Sequence, residues 1–326
     1  MSAGPAGNRG KLLPSVAEAI GDTPLVELAR MTADVDGRIL AKLDYLNPGF
    51  SKKDRIALRI IEDAERSGEL TSGRPVIELT SGNTGTGAAI VCAARGYRFI
   101  AVMSAGNSPE RARMMRALGA RVEIVPQAPQ SQPGQVSGKD LALVEARTRE
   151  LEQELQAFRI DQFARRGNAD AHEFTTGPEI WEASGGSITA FCDFAGTGGS
   201  YVGLLRAFRK HNPDVRGYVV EPEGAAALAG HAITEPNHRI QGGGYAMDHL
   251  PLLEGEPVTG YIAMPDAEAI EVCRRLACEE GIFAGFSAGA NVAAALRLLR
   301  GPEKGGVIAV MICDSGLKYL STDLWP

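Results

Sequence analysis

Twice along this chain a short run of buried-strand residues ends in a turn of small polar residues that opens a helix, and this repeat constrains the fold more than any other feature. Residues 75–79 run into Thr80-Ser81-Gly82-Asn83-Thr84-Gly85 and a small-residue helix through Ala94. Residues 189–194 run into Gly196-Thr197-Gly198-Gly199-Ser200 and a helix through Lys210. Strand 98–103, helix 109–118 and strand 121–125 keep the alternation going, which predicts parallel sheet with helices on both faces. Both turns aim backbone N–H groups, hydroxyls and a helix N-terminus at one spot, a geometry suited to a carboxylate or phosphate. Alone, the first turn reads equally well as an Asn- and Gly-bearing cap. The second lacks the third spaced glycine of a dinucleotide fingerprint, so it fits one phosphate better than a pyrophosphate.

The length, 326 residues, exceeds one comfortable core and predicts two domains of about 100–200 residues each. A net charge of -6 with no basic cluster argues against nucleic acid and anionic membrane as partners. No segment approaches roughly 18 consecutive apolar residues, and residues 1–10 lack a signal-peptide core, so a cytoplasmic protein is expected. Five scattered cysteines lie mostly within apolar runs, as reduced core thiols do. Neither they nor the five histidines form a ligand-spaced pair, and no metal site is expected.

The remaining stretches fit between these landmarks. Residues 14–20 read as a short helix, and 24–28 and 38–46 as strands. Residues 127–139, rich in Gln, Ser, Pro and Gly, read as a loop before a charged helix over about 140–156. A helix spans 169–184, a strand 216–220, an amphipathic helix 266–280, and a last buried strand 307–313. Gln241-Gly242-Gly243-Gly244-Tyr245 lets backbone approach a flat ligand, and Ser287 opens a further helix as a candidate cap. Asn47-Pro48-Gly49-Phe50-Ser51-Lys52-Lys53-Asp54-Arg55 is a turn followed by a helix start, with Ser51 as expected cap and Ile56, Ala57, Ile60, Ile61 and Ala64 as buried face. Lys53 thus stands at the positive end of a helix dipole, which disfavours its ammonium form by about 0.3–1 kcal/mol. By itself the stretch reads more simply as a capped surface helix with two solvated lysines.

Together these stretches resemble the cysteine synthase (O-acetylserine sulfhydrylase) and cystathionine beta-synthase family of pyridoxal-phosphate enzymes, with the tryptophan-synthase-beta-like fold. The resemblance runs from Ile20-Gly21-Asp22-Thr23-Pro24-Leu25 to Tyr319-Leu320-Ser321-Thr322. Five motifs carry it in the family's order: Asn-Pro-Gly-Phe-Ser-x-Lys-Asp-Arg, Thr-Ser-Gly-Asn-Thr-Gly, Thr-Thr-Gly-Pro-Glu-Ile-Trp, Gly-Thr-Gly-Gly-Ser and Glu-Gly-Ile-Phe-Ala-Gly-Phe-Ser-Ala-Gly. It implies an α/β fold of two doubly wound parallel-sheet domains, PLP fold type II. Residues 48–158 would form a smaller, movable domain with the lysine and the carboxylate turn. Residues 11–47 with 159–326 would form the larger domain with the phosphate loop.

The resemblance also assigns roles. Lys53 would bind pyridoxal 5'-phosphate covalently and move the substrate's α-proton. Asn83 would meet the ring's 3'-oxygen, Gly196, Thr197, Gly198, Gly199 and Ser200 the phosphate, and Ser287 the pyridine nitrogen. Thr80, Ser81, Gly82, Thr84 and Gln162 would hold the substrate carboxylate, with Gly243 and Tyr245 beside the second substrate. A neutral hydroxyl at the ring nitrogen makes a weaker electron sink than a carboxylate, which favours loss of a β-substituent over transamination. The implied reaction is β-replacement on an activated L-serine through an aminoacrylate, with O-acetylserine and sulfide the first expectation. A larger thiol, an amine, or a lyase that stops at elimination are the alternatives. Lys52 departs from the family, which usually carries an apolar residue there, and Tyr245 stands where sulfide-using enzymes commonly carry alanine. The partners expected are small molecules and a second copy of the chain in a homodimer.

Overall fold

The structure, a computed structural model, describes residues 11–80, 82–131, 136 and 138–325. Its strands are β1 Leu25–Glu27, β2 Arg38–Lys42, β3 Val76–Leu79, β4 Phe99–Ser104, β5 Arg121–Val125, β6 Phe158–Arg159, β7 Ala190–Phe194, β8 Arg216–Pro222, β9 Gly260–Met264 and β10 Val307–Met311. They form a six-stranded sheet in the order β1-β2-β10-β7-β8-β9 and a four-stranded sheet in the order β5-β4-β3-β6. Every pairing is parallel except the edge pair β1–β2, where Leu25 faces Lys42. Residues 24–28 read as a strand, but its antiparallel sense depends on its partner, and β9, a half-exposed edge strand, carries little periodic signal.

The helices are α1 Lys53–Ser67, α2 Asn83–Arg95, α3 Pro109–Ala117, α4 Gly138–Leu155, α5 Gly167–Ala171, α6 Gly177–Ala183, α7 Gly199–Arg209, α8 Asp266–Glu280 and α9 Phe286–Leu299. Strand residues alternate between the two faces of each sheet, as a pleat of period two requires. In the smaller sheet, Phe99, Ala101 and Met103 of β4 pack with α1 and α2, whereas Ile100 and Val102 pack with Val144 and Leu151 of α4. In the larger sheet, Ile308 and Val310 of β10 face α8 and α9, whereas Ala309 and Met311 face Tyr201, Leu204 and Phe208 of α7. Both sheets are therefore doubly wound.

The parallel strands release their chains at the same kind of place. The turn after β3, the glycine loop after β7 and Cys313-Asp314 after β10 all sit at strand C-terminal ends, where α/β sheets form ligand crevices. Between α5 and α6 the helix widens into a π turn over His172–Thr176, where sequence periodicity reads one uninterrupted helix. Residues 132–135 and 137 of the polar loop lie outside the described residues.

Candidate active site

Helix α1 starts one residue later than its cap signal predicts. Lys52 is the N-cap, and the Ser51 hydroxyl accepts the Lys53 N–H at 3.3 Å. The Asp54 carboxylate turns back to accept the Gly49 N–H, and burial pushes it up to about 7. The start of the helix is laid against the end of β10: Lys52 N–H donates to the Cys313 carbonyl at 2.9 Å, and Ser51 bridges Asp314. Among the described residues no hydrogen bond or ion pair engages the Lys53 amine. Burial, then the charge of Lys52, push it down to about 8.

The adjacent amine is held in the opposite state. Lys52 Nζ donates to Asp193 Oδ1 at 2.8 Å and to Ser200 Oγ at 2.8 Å, with all three side chains buried. Burial works against its charge, but Asp193 outweighs it and holds the ammonium above its ordinary range. Ser200 Oγ in turn donates to Asp193. A serine has one proton to give, so the hydroxyl of Ser200 is committed to Asp193 and its backbone N–H is the donor left to it. The loop itself needs glycine where φ reaches +82° at Gly198, and at Gly199, where a β-carbon would run into Asn168. Asn168 also donates to Thr197 Oγ1 at 2.8 Å, fixing the loop from below.

After β3, Thr80 Oγ1 accepts the N–H groups of Gly82 at 3.0 Å and Gly85 at 2.8 Å. Both its lone pairs are taken, so its proton is left to donate. Thr84 donates to Gln162 Oε1 at 2.6 Å, and Gln162 Nε2 donates to the Leu79 carbonyl at 3.0 Å, which draws Gln162 onto the turn. The Gln162 backbone is steadied by buried Glu78, which burial pushes up to about 8. Ser81 lies outside the described residues. At the start of α2, Asn83 Nδ2 donates to Asp314 Oδ2 at 2.7 Å while its Oδ1 accepts from Lys318 Nζ at 2.7 Å. Lys318 also donates to the Gly49 carbonyl at 2.8 Å, and burial pushes it down to about 8. Ser287, buried in the first turn of α9, lies beside the Cys313 thiol, which burial pushes up to about 11.

A second loop closes the site. Gly244 N–H donates to the Ala195 carbonyl at 2.8 Å, and Gly243 packs on the same backbone, so 241–246 lies against the glycine loop. The Tyr245 ring lies tilted against Phe163, with centroids 6.0 Å apart, and lines a cavity of about 850 Å³ that also borders Thr80, Arg111 and His238. Farther out, the Arg55 guanidinium binds Asp44 and Glu179, and Lys42 also pairs with Glu179. Arg55 of the first motif is thereby joined to Glu179 of the Thr-Thr-Gly-Pro-Glu-Ile-Trp motif.

The family of pyridoxal-phosphate-dependent enzymes matches residues 16–314. The chain belongs to that family. Cysteine synthase B of Pseudomonas aeruginosa is 37% identical over 313 residues, covering 96% of this chain and 97% of that protein. A probable cysteine synthase of Bacillus subtilis is 38% identical over 320 residues, covering 97% and 98% respectively. Among solved structures, an O-ureido-L-serine synthase superposes with a TM-score of 0.85 at 37% identity over 96% of this chain and 95% of that one.

The residues of this family member fit its cofactor. A glycine cradle backed by a helix N-terminus suits one phosphate, an amine depressed to about 8 suits an aldehyde, and Asp314 Oδ1, beside Asn83, is a buried acceptor with no partner among the described residues. Reading the sequence missed Asp193, Asp314 and Lys318. A signal for the first existed: an aspartate inside the buried run 189–194 requires a cation, and two adjacent lysines stand at the start of the first long helix. Lys318 gave none, because only the fold brings it 235 residues back along the chain to Asn83.

Proposed function

We propose that the protein is a cysteine synthase, exchanging the β-substituent of O-acetyl-L-serine for sulfide to give L-cysteine and acetate. The observation that carries this reading is the buried Lys53 amine, pushed down to about 8 and without a hydrogen bond or ion pair among the described residues, on the helix that abuts both the glycine loop and the end of β10. When bound, pyridoxal phosphate supplies an aldehyde that captures amino acids and a ring that withdraws electrons from their α-carbon. Lys53 would hold the aldehyde, and its amine would carry the proton taken from and returned to the substrate α-carbon. Gly196–Ser200 hold the phosphate through backbone N–H groups, and Asn83 orients the ring through its 3'-oxygen. Thr80, Gly82, Thr84 and Gln162, with Ser81, bind the α-carboxylate. Ser287 offers the ring nitrogen a neutral hydroxyl, which favours β-loss over transamination. Movement of residues 48–158 against 11–47 with 159–326 excludes water and suppresses hydrolysis. By fold analogy the active form is a homodimer, and the location is cytoplasmic; sedimentation and cell fractionation check these two points.

The test mixes the purified protein with O-acetylserine alone and follows the cofactor's visible spectrum. A new stable band that sulfide discharges is the expected result. No response to O-acetylserine, with a response to O-phosphoserine or serine, overturns the cysteine synthase reading and retains β-replacement. A second reading keeps the first substrate and enlarges the nucleophile. It is favoured by Tyr245 and by a cavity of about 850 Å³, far more room than sulfide needs. Competition among sulfide, homocysteine and ammonia for O-acetylserine separates the two.

A further inference from the structure

We propose that Lys52 is a cofactor-positioning residue, a buried strut that fixes the separation between the start of α1 and the glycine loop, and with it the span between the Lys53 amine and the cofactor phosphate. The inference rests on the reading of Gly196–Ser200 as the phosphate site. Pyridoxal phosphate is one stiff molecule that must be gripped at both ends at once. Its aldehyde end would be taken by Lys53 and its phosphate end by the loop, and these belong to elements far apart in sequence. Lys52 is the side chain that joins them directly. Its backbone is the N-cap of α1, one peptide bond from Lys53, and its amine reaches Asp193 Oδ1 at 2.8 Å, Asp193 Oδ2 at 3.2 Å and Ser200 Oγ at 2.8 Å.

Asp193 and Ser200 are the two ends of the loop. Asp193 lies in β7 just before it, Ser200 in the first turn of α7 just after it, and the serine hydroxyl donates back to the aspartate. Lys52 therefore pins both ends to α1. The ion pair is neutral overall, so it adds little net attraction for a phosphate; its effect is geometric. A site whose two grips are already at the right separation spends less of its binding energy on ordering the loop. An apolar residue at this position fills space but makes no such tie. The arrangement is specific to this pair, since either charge alone would be buried without a partner.

The experiment compares two aldehydes on the cofactor-free protein: pyridoxal 5'-phosphate and pyridoxal, which lacks the phosphate. Dissociation constants come from visible absorbance, with the ³¹P resonance of the bound phosphate as a second readout. Lys52→Met is expected to weaken pyridoxal 5'-phosphate at least about tenfold and pyridoxal by less than about twofold, with a broadened or shifted ³¹P signal. Equal weakening of both ligands would show that Lys52 merely supports α1 and would overturn the proposal; so would no weakening of either. Because Lys52→Met leaves Asp193 as an unpaired buried charge, the double variant Lys52→Met/Asp193→Asn controls for folding and repulsion. It is expected to lose the same affinity, and recovery to the wild-type value would overturn the strut. A wild-type protein that binds the two aldehydes alike would instead remove the phosphate-loop reading on which the strut stands.

Discussion

Lys52 and Lys53 are chemically identical and joined by one peptide bond, yet the fold drives their amines in opposite directions. Both lose water. Lys52 regains a carboxylate at 2.8 Å and a hydroxyl at 2.8 Å, so its charge is fixed. Lys53 regains no hydrogen bond or ion pair among the described residues and in addition feels the positive charge of its neighbour, so its proton is loosely held at about 8. The difference teaches that desolvation alone does not make a nucleophile; desolvation without compensation does. The Asp193 carboxylate, far away in sequence, decides which of the two lysines is reactive.

The sharpest way to break this contrast is to remove one amine at a time. Lys53→Ala is expected to abolish the Schiff-base absorption and lower turnover by roughly 10²–10⁴-fold, whereas Lys52→Ala at saturating cofactor keeps the absorption. Equal loss of absorption in both variants would refute the division of labour. A second test leaves the lysines intact and loosens the elements that carry them. Glu179→Gln strips Lys42 and part of Arg55 of their counter-charge, and is expected to cost about 3 kcal/mol of stability, measured by denaturant unfolding.

A third substitution probes the other side of the cleft. Gln162→Leu removes the acceptor of Thr84 and the donor proposed for the substrate carboxylate, and is expected to raise KM for O-acetylserine roughly tenfold to a hundredfold with a smaller change in kcat. A comparable fall in kcat with KM unmoved would place Gln162 elsewhere. The smallest effect is one of pH. Only the neutral amine attacks an aldehyde, and the folded protein holds Lys53 at about 8, so the rate at which cofactor-free protein captures pyridoxal phosphate should rise with pH and level off above about 8. In Lys52→Met/Asp193→Asn the burial of Lys53 remains while both neighbouring charges vanish, so the inflection should move by less than about one pH unit.

Much of the fold was legible because strand runs and polar turns leave strong local signals. Residues 98–103, 189–194 and 266–280 lie within a residue or two of the elements observed. The antiparallel pairing of β1, the edge strand β9 and the π turn at His172–Thr176 were not, since each depends on a neighbour that packs or pairs with it. Thr84 and Gln162, read separately from their motifs, meet at 2.6 Å. Ser200 was read as part of the phosphate loop; its hydroxyl is spent on Asp193, which leaves its backbone N–H to donate.

Sequence alone determined the order of most strands, turns and helices and the chemistry offered after β3 and β7, because those depend on residues within a few positions of one another. Tertiary structure alone decided which amine is charged and which is free, and which carboxylates, Asp193 and Asp314, face Lys52 and Asn83. Charge states depend on solvent exclusion and on partners within a few ångströms, and packing brings those partners from more than a hundred residues away along the chain.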